Sequence, residues 1–552
     1  MPNFLENIFA QLQRAGDRVV LREVRGEQFQ SVTGRELLDH VHQARASLRT
    51  FGLQPGDRCA LLAPNCIRWV VIDLALMAEG VVVVPLYYRQ TASEIVRMLQ
   101  NCQPRMLLTG DSAIGDAVAA AWPEVPQQAT LEMITSSNTG AASQSPPLAR
   151  TDADLLTIIY TSGTSGEPKG VCLNTGNLNH MTGCTTERLN QLMGVMHEPD
   201  RVFLYAPMNF AASWMLMLSA FTRESVLTLS TDLNNLADEI RLSSPHYFLN
   251  VPTLLERVKR GVEDAISKQA APIRKLYTRA HECWQRQHAG RGKSFDAFWL
   301  WFAQKIIFNK IKSRFGPNLR ALICGSAPLA PETQQFFMML GIPVLQAYGL
   351  TETTALCTLD DPRVPVEPGY VGPAIAGVEM KTGEDDEILV RGPNIFPGYW
   401  KRPEETARVL EGGWFHTGDQ GEVNGRGNWR IIGRLKNLLV LNSGHKFAPE
   451  PIEEELAYLL PAAQQIVLVG NGRGYVCALA TGAVEPAALQ SAIDTVNAEL
   501  PHYRQIRNFT VLREPFTPES GLLTVLGKLR REAIATRFAA EIDAMYGRKA
   551  SA

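Results

Sequence analysis

The chain has 552 residues, more than one hydrophobic core usually supports, so we expect two or more domains. Its net charge of -2 and the lack of a basic run give no sign of a nucleic-acid partner. Nine scattered cysteines without a CxxC pair favour a reducing, cytoplasmic setting, and neither a signal peptide nor a transmembrane helix is expected.

Apolar runs alternate with helical patterns from the start of the chain. The spacing of apolar positions predicts buried strands over residues 58–63 and 81–85, and helices over residues 34–51 and 92–102. Such alternation predicts α/β layers. The polar, low-complexity stretch 136–145 predicts a loop, and no repeat of a solenoid period is found.

A hydroxyl-rich and glycine-rich segment, residues 160–170, directly follows the apolar run 155–159. Its glycines let the backbone approach a polyphosphate, its Ser and Thr side chains can donate hydroxyl hydrogen bonds, and Lys169 supplies positive charge. The segment is not a Walker loop, because Lys169 follows Pro168 and leads into another apolar run. It therefore predicts a phosphate-binding loop, the alternative being a simple mobile turn.

Two later segments suit a nucleotide. The apolar residues 321–324 predict a strand, and residues 325–328 follow it as a turn. In the segment 346–353, Tyr348 can stack on a purine, and the pair Thr351–Glu352 suits a phosphate contact and an oxygen ligand for magnesium.

Further motifs lie in the last third of the chain. Residues 413–419 end in Asp419, a carboxylate suited to two ribose hydroxyls, and residues 433–437 lead into the segment 441–450. A short basic segment, residues 523–531, contains Lys528.

Residues beyond Asn437 have strand and helix signals of their own. Strands are predicted over residues 465–469 and 475–480, and helices over residues 450–460 and 487–500. We therefore expect a small separate domain there.

These motifs, taken in order, resemble the adenylate-forming superfamily of acyl-CoA synthetases, luciferases and peptide-synthetase adenylation domains. The resemblance implies a large N-terminal α/β domain of several subdomains, residues 1–433, and a small mobile α+β C-terminal domain, residues 434–552. It implies activation of a carboxylic acid by ATP to an acyl-adenylate with release of pyrophosphate, followed by thioester formation with CoA. ATP, Mg²⁺ and CoA, or the phosphopantetheine of a carrier protein, are the implied cofactors.

The resemblance also implies a role for each matching residue. Lys528, Glu352 and Thr351 would be catalytic, with Glu352 the metal ligand and Lys436 the hinge. Ser443, Gly444 and His445 would line the pantetheine tunnel. The residues expected to bind the nucleotide are Thr161, Ser162, Gly163, Thr164, Ser165, Gly166, Lys169, Gly325, Ser326, Ala327, Gln346, Tyr348, Gly349, Asp419 and Arg434.

The segments 442–452, 515–524 and 542–546 are similar to long-chain acyl-CoA synthetases, which favours a fatty or other hydrophobic acid. Phe210 stands where the superfamily often has a histidine beside the acyl pocket, and should make that pocket less polar. The aromatic segment 295–302 could cover an acyl tunnel, contact a membrane surface as a peripheral site, or pack as a helix into the large domain.

Three hypotheses remain from the residues. The first is a carboxylate:CoA ligase, and the second is an acyl-AMP ligase that loads a carrier-protein pantetheine or an amine. The third is an inactive nucleotide-binding scaffold, against which the motif residues argue.

Other motif-like signals do not change these hypotheses. The dinucleotide-like segment 470–474 predicts a hairpin turn, since a strand pattern follows it. No HExxH, paired CxxC or GxSxG motif is present.

Overall fold

The computed structural model describes residues 3–124, 126–136, 145–161, 168–517, 520–524 and 527–547. The chain divides into two compact units. The first consists of Met1–Met380, Val390–Phe415 and Gly425–Trp429. The second consists of Lys381–Leu389, His416–Asn424 and Arg430–Ala552.

Both units contain β-strands. In chain order the strands of the described residues are β1 Val19–Arg25, β2 Gln28–Thr33, β3 Arg58–Leu62, β4 Val82–Leu86, β5 Met106–Thr109, β6 Gln127–Thr130, β7 Leu155–Thr161, β8 Lys169–Asn174, β9 Asp200–Leu204, β10 Ser225–Leu229, β11 Tyr247–Asn250, β12 Ala321–Cys324, β13 Val344–Tyr348, β14 Thr358–Leu359, β15 Glu379–Thr382, β16 Glu387–Arg391, β17 Gly398–Tyr399, β18 Leu410–Glu411, β19 Trp414–Val423, β20 Trp429–Arg434, β21 Leu439–Val440, β22 Lys446–Phe447, β23 Ala463–Val469, β24 Val476–Gly482 and β25 Ile506–Leu512.

Helices separate most of the strands. In the same part of the chain they are α1 Phe4–Ala15, α2 Gly34–Thr50, α3 Ile67–Ala78, α4 Ala92–Cys102, α5 Ser112–Ala121, α6 Leu131–Ser136, α7 Thr175–Met193, α8 Ala211–Phe221, α9 Leu236–Ser243, α10 Pro252–Ser267, α11 Ala271–His288, α12 Asp296–Ala303, α13 Asn309–Lys312, α14 Pro331–Met339, α15 Pro403–Val409, α16 Glu450–Leu459, α17 Pro486–Asn497, α18 Arg531–Arg537 and α19 Ala539–Gly547.

The first unit contains two large, mostly parallel sheets. One has eight strands in the order β14-β13-β12-β11-β9-β10-β1-β2, with antiparallel strands at its two edges. The other has seven strands in the order β17-β8-β7-β4-β3-β5-β6, of which β8 and β17 are antiparallel to their neighbours. Strands such as β4, β5 and β12 are buried along their whole length, as is typical of parallel sheets covered by helices on both faces.

The second unit has its own apolar core. Strands β23, β24 and β25 form a three-stranded sheet, and apolar side chains of α16 and α17 belong to the same buried cluster as that sheet. The segment 470–474, predicted as a turn, connects the antiparallel strands β23 and β24. The predicted α/β class, with a large N-terminal domain and a smaller C-terminal domain, is confirmed.

Most predicted elements of the first unit are present with small changes in their ends. Residues 92–102 and 321–324 form α4 and β12 as predicted, whereas the strand predicted over 81–85 begins at Val82. The shift has a clear cause, because the Val81 N–H donates to the Leu76 carbonyl and so closes the end of α3. Most of the predicted loop 136–145 lies outside the described residues.

A buried polar contact joins α3 to α8, the helix that begins directly after Phe210. The indole N–H of Trp214 donates to Asp73 Oδ2 at 2.9 Å, and both side chains are almost completely buried. Burial raises the pKa of Asp73 to about 7, although the Trp214 hydrogen bond opposes this shift. Burial therefore favours the neutral form of Asp73 in the folded protein, although the hydrogen bond itself favours the ionised form.

This contact predicts how stability depends on pH. Because the pKa of Asp73 is raised in the folded protein, its contribution to stability is fully present below the ordinary pKa of 3.8 and is lost as the pH rises through about 7. We expect Asp73→Asn, which cannot ionise, to remove this loss, so its gain over wild type grows to a few kcal/mol as the pH rises from about 4 to about 7. Thermal unfolding across that range measures it. The exposed Asp116→Asn serves as control, and equal pH profiles for Asp73→Asn and wild type would contradict the prediction.

Candidate functional site

Strands β7 and β8 form an antiparallel hairpin that places Thr161 opposite Lys169. The middle of both strands is buried and apolar, which fixes the register. Between these two residues runs the predicted phosphate loop, of which Ser162, Gly163, Thr164, Ser165 and Gly166 lie outside the described residues. The structure thus brings together the two ends of the loop.

Lys169 lies among aromatic and acidic side chains. Its ammonium forms an ion pair with Glu405 and lies 5.2 Å from the centre of the Tyr399 ring. The hydrogen bond from Lys169 holds the pKa of the Glu405 carboxyl below its ordinary value. Since both side chains are mostly buried, the charges are sheltered from solvent and the lysine is held in one direction.

Glu352 lies close to the same aromatic residue. The Tyr399 hydroxyl donates to Glu352 Oε1 at 2.9 Å, and the Glu352 carbonyl accepts from the N–H of Phe396 at 2.9 Å. Tyr399 therefore contacts both Lys169 and Glu352. Sequence reasoning missed Tyr399 and Glu405, and the signal available was the aromatic pair Tyr399–Trp400 after a Pro-Gly turn.

A tight turn positions Glu352. Thr351 and Glu352 belong to a single 3₁₀ turn that follows Gly349. A Cβ atom on Gly349 would lie 2.2 Å from the Ala355 carbonyl oxygen, so only glycine fits there. Thr354 and Ala355 both have positive φ, and the Thr354 hydroxyl donates to the Asn394 carbonyl at 2.7 Å. The turn is therefore held by buried hydrogen bonds although its backbone is strained.

The segments expected around the adenine lie at the ends of adjacent parallel strands. Cys324 of β12 pairs with Gln346 of β13, so the turn Gly325, Ser326 and Ala327 lies beside the end of β13. Tyr348, the last residue of β13, is buried, and Ser326 has a φ of 80°.

The Gln346 amide belongs to a buried network. Its N–H groups donate to Gln334 Oε1 at 2.8 Å and to the Tyr370 carbonyl at 3.1 Å. Its backbone N–H donates to Asp360 Oδ2, a carboxyl whose pKa burial raises to about 7. These bonds hold the end of β13, and a nucleotide-binding role for Gln346 stays a prediction.

Phe210 is the residue before α8. Its carbonyl accepts the N–H groups of Ser213 and Trp214, and its side chain is half-buried. Helix α8 behind it is apolar and almost fully buried, so the surroundings of Phe210 in the first unit are largely nonpolar.

In the second unit, Asp419 and Arg434 lie on adjacent strands, β19 and β20. Arg434 Nε is 2.6 Å from Asp419 Oδ1, and the Asp419 side chain is almost completely buried. The neighbouring Gly418 N–H donates to Glu387 Oε1 at 2.9 Å. A buried carboxylate held by an arginine is thus present where a ribose contact was predicted.

Lys436 and the pantetheine residues lie in two short turns. Lys436 is exposed in the 3₁₀ turn Leu435–Asn437, next to the side-chain bond from Asn437 to Glu450 Oε1 at 2.7 Å. Ser443, Gly444 and His445 connect β21 to β22. Ser443 Oγ lies 2.9 Å from His445 Nδ1, the His445 ring stacks on Tyr503, and Gly444 has a φ of 85°.

Lys528 lies in a tight loop that is closed by backbone bonds. The Thr524 N–H donates to the Lys528 carbonyl at 2.7 Å, and the Arg530 N–H donates to the Leu522 carbonyl at 2.9 Å. The side chain of Lys528 is exposed.

Arg531 anchors this loop to α16. Its guanidinium donates to both carboxylate oxygens of Glu453, at 2.8 and 2.5 Å, and lies 3.6 Å from Glu450. Glu450 also accepts from Asn437, so one buried cluster joins the Lys528 loop, α16 and the turn that contains Lys436. Burial raises the pKa of Glu450, and Arg531 opposes this shift.

Comparison with known proteins identifies the class. The sequence model described as AMP-binding enzyme matches residues 8–400, and the one described as AMP-binding enzyme C-terminal domain matches residues 436–550. The chain belongs to the AMP-binding enzyme family, so the resemblance to adenylate-forming enzymes is confirmed.

Three relatives illustrate the similarity. A long-chain-fatty-acid–CoA ligase of Mycobacterium bovis is 27% identical over 97% of this chain and 95% of its own. A chloroplastic long-chain-fatty-acid–[acyl-carrier-protein] ligase of Arabidopsis thaliana is 26% identical over 97% of this chain and 85% of its own. The crystal structure of ATP-bound MatB from Rhodopseudomonas palustris is similar in fold, with a TM-score of 0.75 and 21% identity over 97% of this chain and 99% of that one.

The contact between Tyr399 and Glu352 predicts an effect on nucleotide binding. Tyr399→Phe keeps the ring beside Lys169 but removes the hydrogen bond that orients the Glu352 carboxylate. Since a hydrogen bond to a charged group contributes about 1.5–3 kcal/mol, we expect roughly tenfold weaker binding of magnesium ATP, measured by calorimetry. Tyr458→Phe, in the second unit, is the control. Unchanged affinity in Tyr399→Phe would show that the bond does not orient Glu352.

The Arg531 cluster predicts an effect on the Lys528 loop. Arg531→Met leaves two buried carboxylates without their cation, and removal of one partner of a buried pair costs about 3–5 kcal/mol. We expect faster proteolytic cleavage near this loop and a lower unfolding temperature, with partial recovery in Arg531→Lys. Arg537→Met, at an exposed position of α18, is the matched control. Protease resistance equal to wild type would contradict the anchoring role.

Proposed function

We propose that the protein uses ATP to convert a hydrophobic carboxylic acid of the fatty type into an acyl-adenylate and pyrophosphate, and then transfers the acyl group to the thiol of CoA with release of AMP. The observation that carries this proposal is the cluster of Lys169, Tyr399 and Glu352 beside the phosphate-loop hairpin. It combines one cation, one oriented carboxylate and a hydroxyl-rich loop, which are the groups that a magnesium polyphosphate requires.

The first step creates negative charge on the α-phosphate when a carboxylate oxygen attacks it. Lys169 and the hydroxyls of Thr161 and Thr351 would stabilise that charge. Magnesium, when bound, neutralises phosphate oxygens. Its fit to Glu352 is supported by the carboxylate that the Tyr399 hydroxyl orients. Mg²⁺ typically binds one or two carboxylates and substrate phosphates in this way.

Two groups of residues are proposed to contact the nucleoside. Tyr348 would stack on the adenine beside Gly325, Ser326 and Ala327, and Asp419 would accept hydrogen bonds from the ribose hydroxyls. The pairing of Asp419 with Arg434 supports this role, because the arginine fixes the direction of the carboxylate.

The second unit would supply two groups in turn. Lys528 would stabilise the first transition state, and a rotation about Lys436 would then exchange it for Ser443, Gly444 and His445. The anchored loop supports a defined backbone position for Lys528. Among the described residues, apart from the two neighbours of Gly444 in the chain, none has a heavy atom within 4 Å of a Cβ built on Gly444, which supports an open side of the turn for a pantetheine arm.

The nature of the acid and of the acceptor rests on relatives and on the apolar surroundings of Phe210. The similar ligase of M. bovis is named for long-chain fatty acids, which supports a fatty substrate here. The A. thaliana relative is named for an acyl carrier protein, which supports carrier-bound pantetheine as a second candidate acceptor. The nine cysteines, none of which forms a disulfide bond, support a cytoplasmic setting.

The decisive experiment measures pyrophosphate release from ATP and magnesium with a panel of fatty, aromatic and branched acids, with and without CoA. Acid-dependent release that CoA accelerates, with acyl-CoA identified by mass spectrometry, is the expected result. If CoA does not change the release of pyrophosphate and acyl-adenylate accumulates, the acyl acceptor would be a carrier protein instead of CoA. Absence of release with every acid, although ATP binds, would overturn the ligase function.

Lys528 can be tested by separating the two half-reactions. We expect Lys528→Ala to slow acyl-adenylate formation by roughly 100- to 1000-fold, since it removes a donor at the developing charge. Thioester formation from synthetic acyl-adenylate should continue, because Lys528 would have left the site by then. The control is the exposed Lys268→Ala. Equal losses in both half-reactions would contradict the assignment.

A further inference from the structure

Helix α12 exposes a row of large apolar side chains. Phe295 is 77% exposed, Phe298 54%, Trp301 57%, Phe302 37% and Ile306 41%. Exposure of single apolar residues is ordinary, but five large ones in twelve consecutive positions form a continuous patch. The patch therefore needs a functional explanation.

The helical geometry places these side chains on one face. Helix α12 continues through the π-helical turn Gln304–Phe308 into α13, and the exposed positions recur at intervals of three and four residues. Phe298 and Phe302 stack at 6.2 Å between ring centres. The opposite face is buried against the first unit through Ala303, Ile307 and Phe308. The expectation that this segment packs into the large domain is thus met by one face only.

The surroundings of the patch are strongly basic. Residues 286–314 contain seven Lys or Arg residues and one acidic residue, Asp296, which is buried and paired with Arg286. Lys305 and Lys310 are exposed on the same face as the aromatic side chains. On the neighbouring helix α11, Arg274, Lys275 and Arg279 line an open depression together with Glu282, which pairs with Arg279. This local charge contrasts with the net charge of -2 for the whole chain.

We propose that this face, formed by Phe295, Phe298, Trp301, Phe302 and Ile306 with Lys305 and Lys310, binds the surface of an anionic lipid bilayer. Aromatic rings enter the boundary between headgroups and acyl chains, and lysines on the same face bind lipid phosphates. The charge complementarity selects this occupant. A face of this kind lies in the plane of the membrane, and no helix of the described residues is long and apolar enough to cross one.

The attachment is independent of the chemistry proposed above. It would place the first unit at the membrane surface, into which hydrophobic acids partition. It uses none of the residues assigned to nucleotide binding. Loss of vesicle binding and loss of catalysis are therefore separable results.

The test uses the full chain in flotation with vesicles of phosphatidylcholine alone or mixed with phosphatidylglycerol. We expect binding to the mixed vesicles that falls with added salt. The double variant Phe298→Ser and Trp301→Ser should lose at least roughly tenfold in partitioning. The double variant Lys305→Gln and Lys310→Gln should lose about fivefold per lysine. Pyrophosphate release with a water-soluble acid should remain as in wild type in both variants.

Matched controls remove apolar surface or charge elsewhere on the first unit. Val195→Ser with Val364→Ser removes two side chains that are 93% and 56% exposed, and Arg18→Gln with Arg35→Gln removes two exposed cations. Both controls should bind vesicles as wild type does. Equal vesicle binding by wild type and the α12 variants, or no binding by wild type at low salt, would overturn the proposal. If the wild type binds no vesicles but forms a dimer in sedimentation velocity, and only the α12 variants lose that dimer, the face belongs to an interface with a second copy of the chain.

Discussion

The pairing of β17 with β8 is the constraint on which the candidate site depends. In this register Tyr399 lies opposite Val171, two residues from Lys169, and a short segment from a distant part of the chain becomes the neighbour of the phosphate-loop hairpin. Gly170 makes the contact feasible, because a Cβ there would lie 2.8 Å from Ile158 Cγ2 and 3.2 Å from Trp400 Cβ. The hydroxyl of Tyr399 then reaches Glu352, so one strand pairing aligns a cation and a carboxylate.

The charged side chains near the hairpin have polar partners within the first unit. Lys169 is paired with Glu405, whose carboxyl is kept ionised by that contact, and Glu352 accepts a hydrogen bond from Tyr399. Such pairing reduces the cost of keeping mostly buried charges in the folded protein. It also fixes the directions of the side chains, which is the condition for electrostatic stabilisation of a transition state without reorganisation.

The second unit also holds its charged side chains in pairs, but here one cation lies between two carboxylates. Two carboxylates of α16 enclose the Arg531 guanidinium, and Glu450 also binds Asn437. The loop that contains Lys528 is consequently tied through α16 to the turn that contains Lys436. Under the proposed function, this connection lets a change at the hinge turn move the lysine as part of one rigid body. Helix α12 in the first unit shows the opposite case, where charge and aromatic surface stay open to solvent.

The sequence by itself determined the elements and residues whose signals are local. Helix α4 and strand β12 follow from apolar spacing, and Thr161, Lys169, Glu352 and Lys528 follow from motifs in which neighbouring residues define the chemistry. Only the tertiary structure decided the contacts of these residues. Tyr399 and Glu405 reach Lys169 through the pairing of strands more than 200 residues apart, and Arg531 reaches Glu453 across 78 residues. Local patterns carry no information about such pairings, because burial and strand register are settled only when the whole sheet forms.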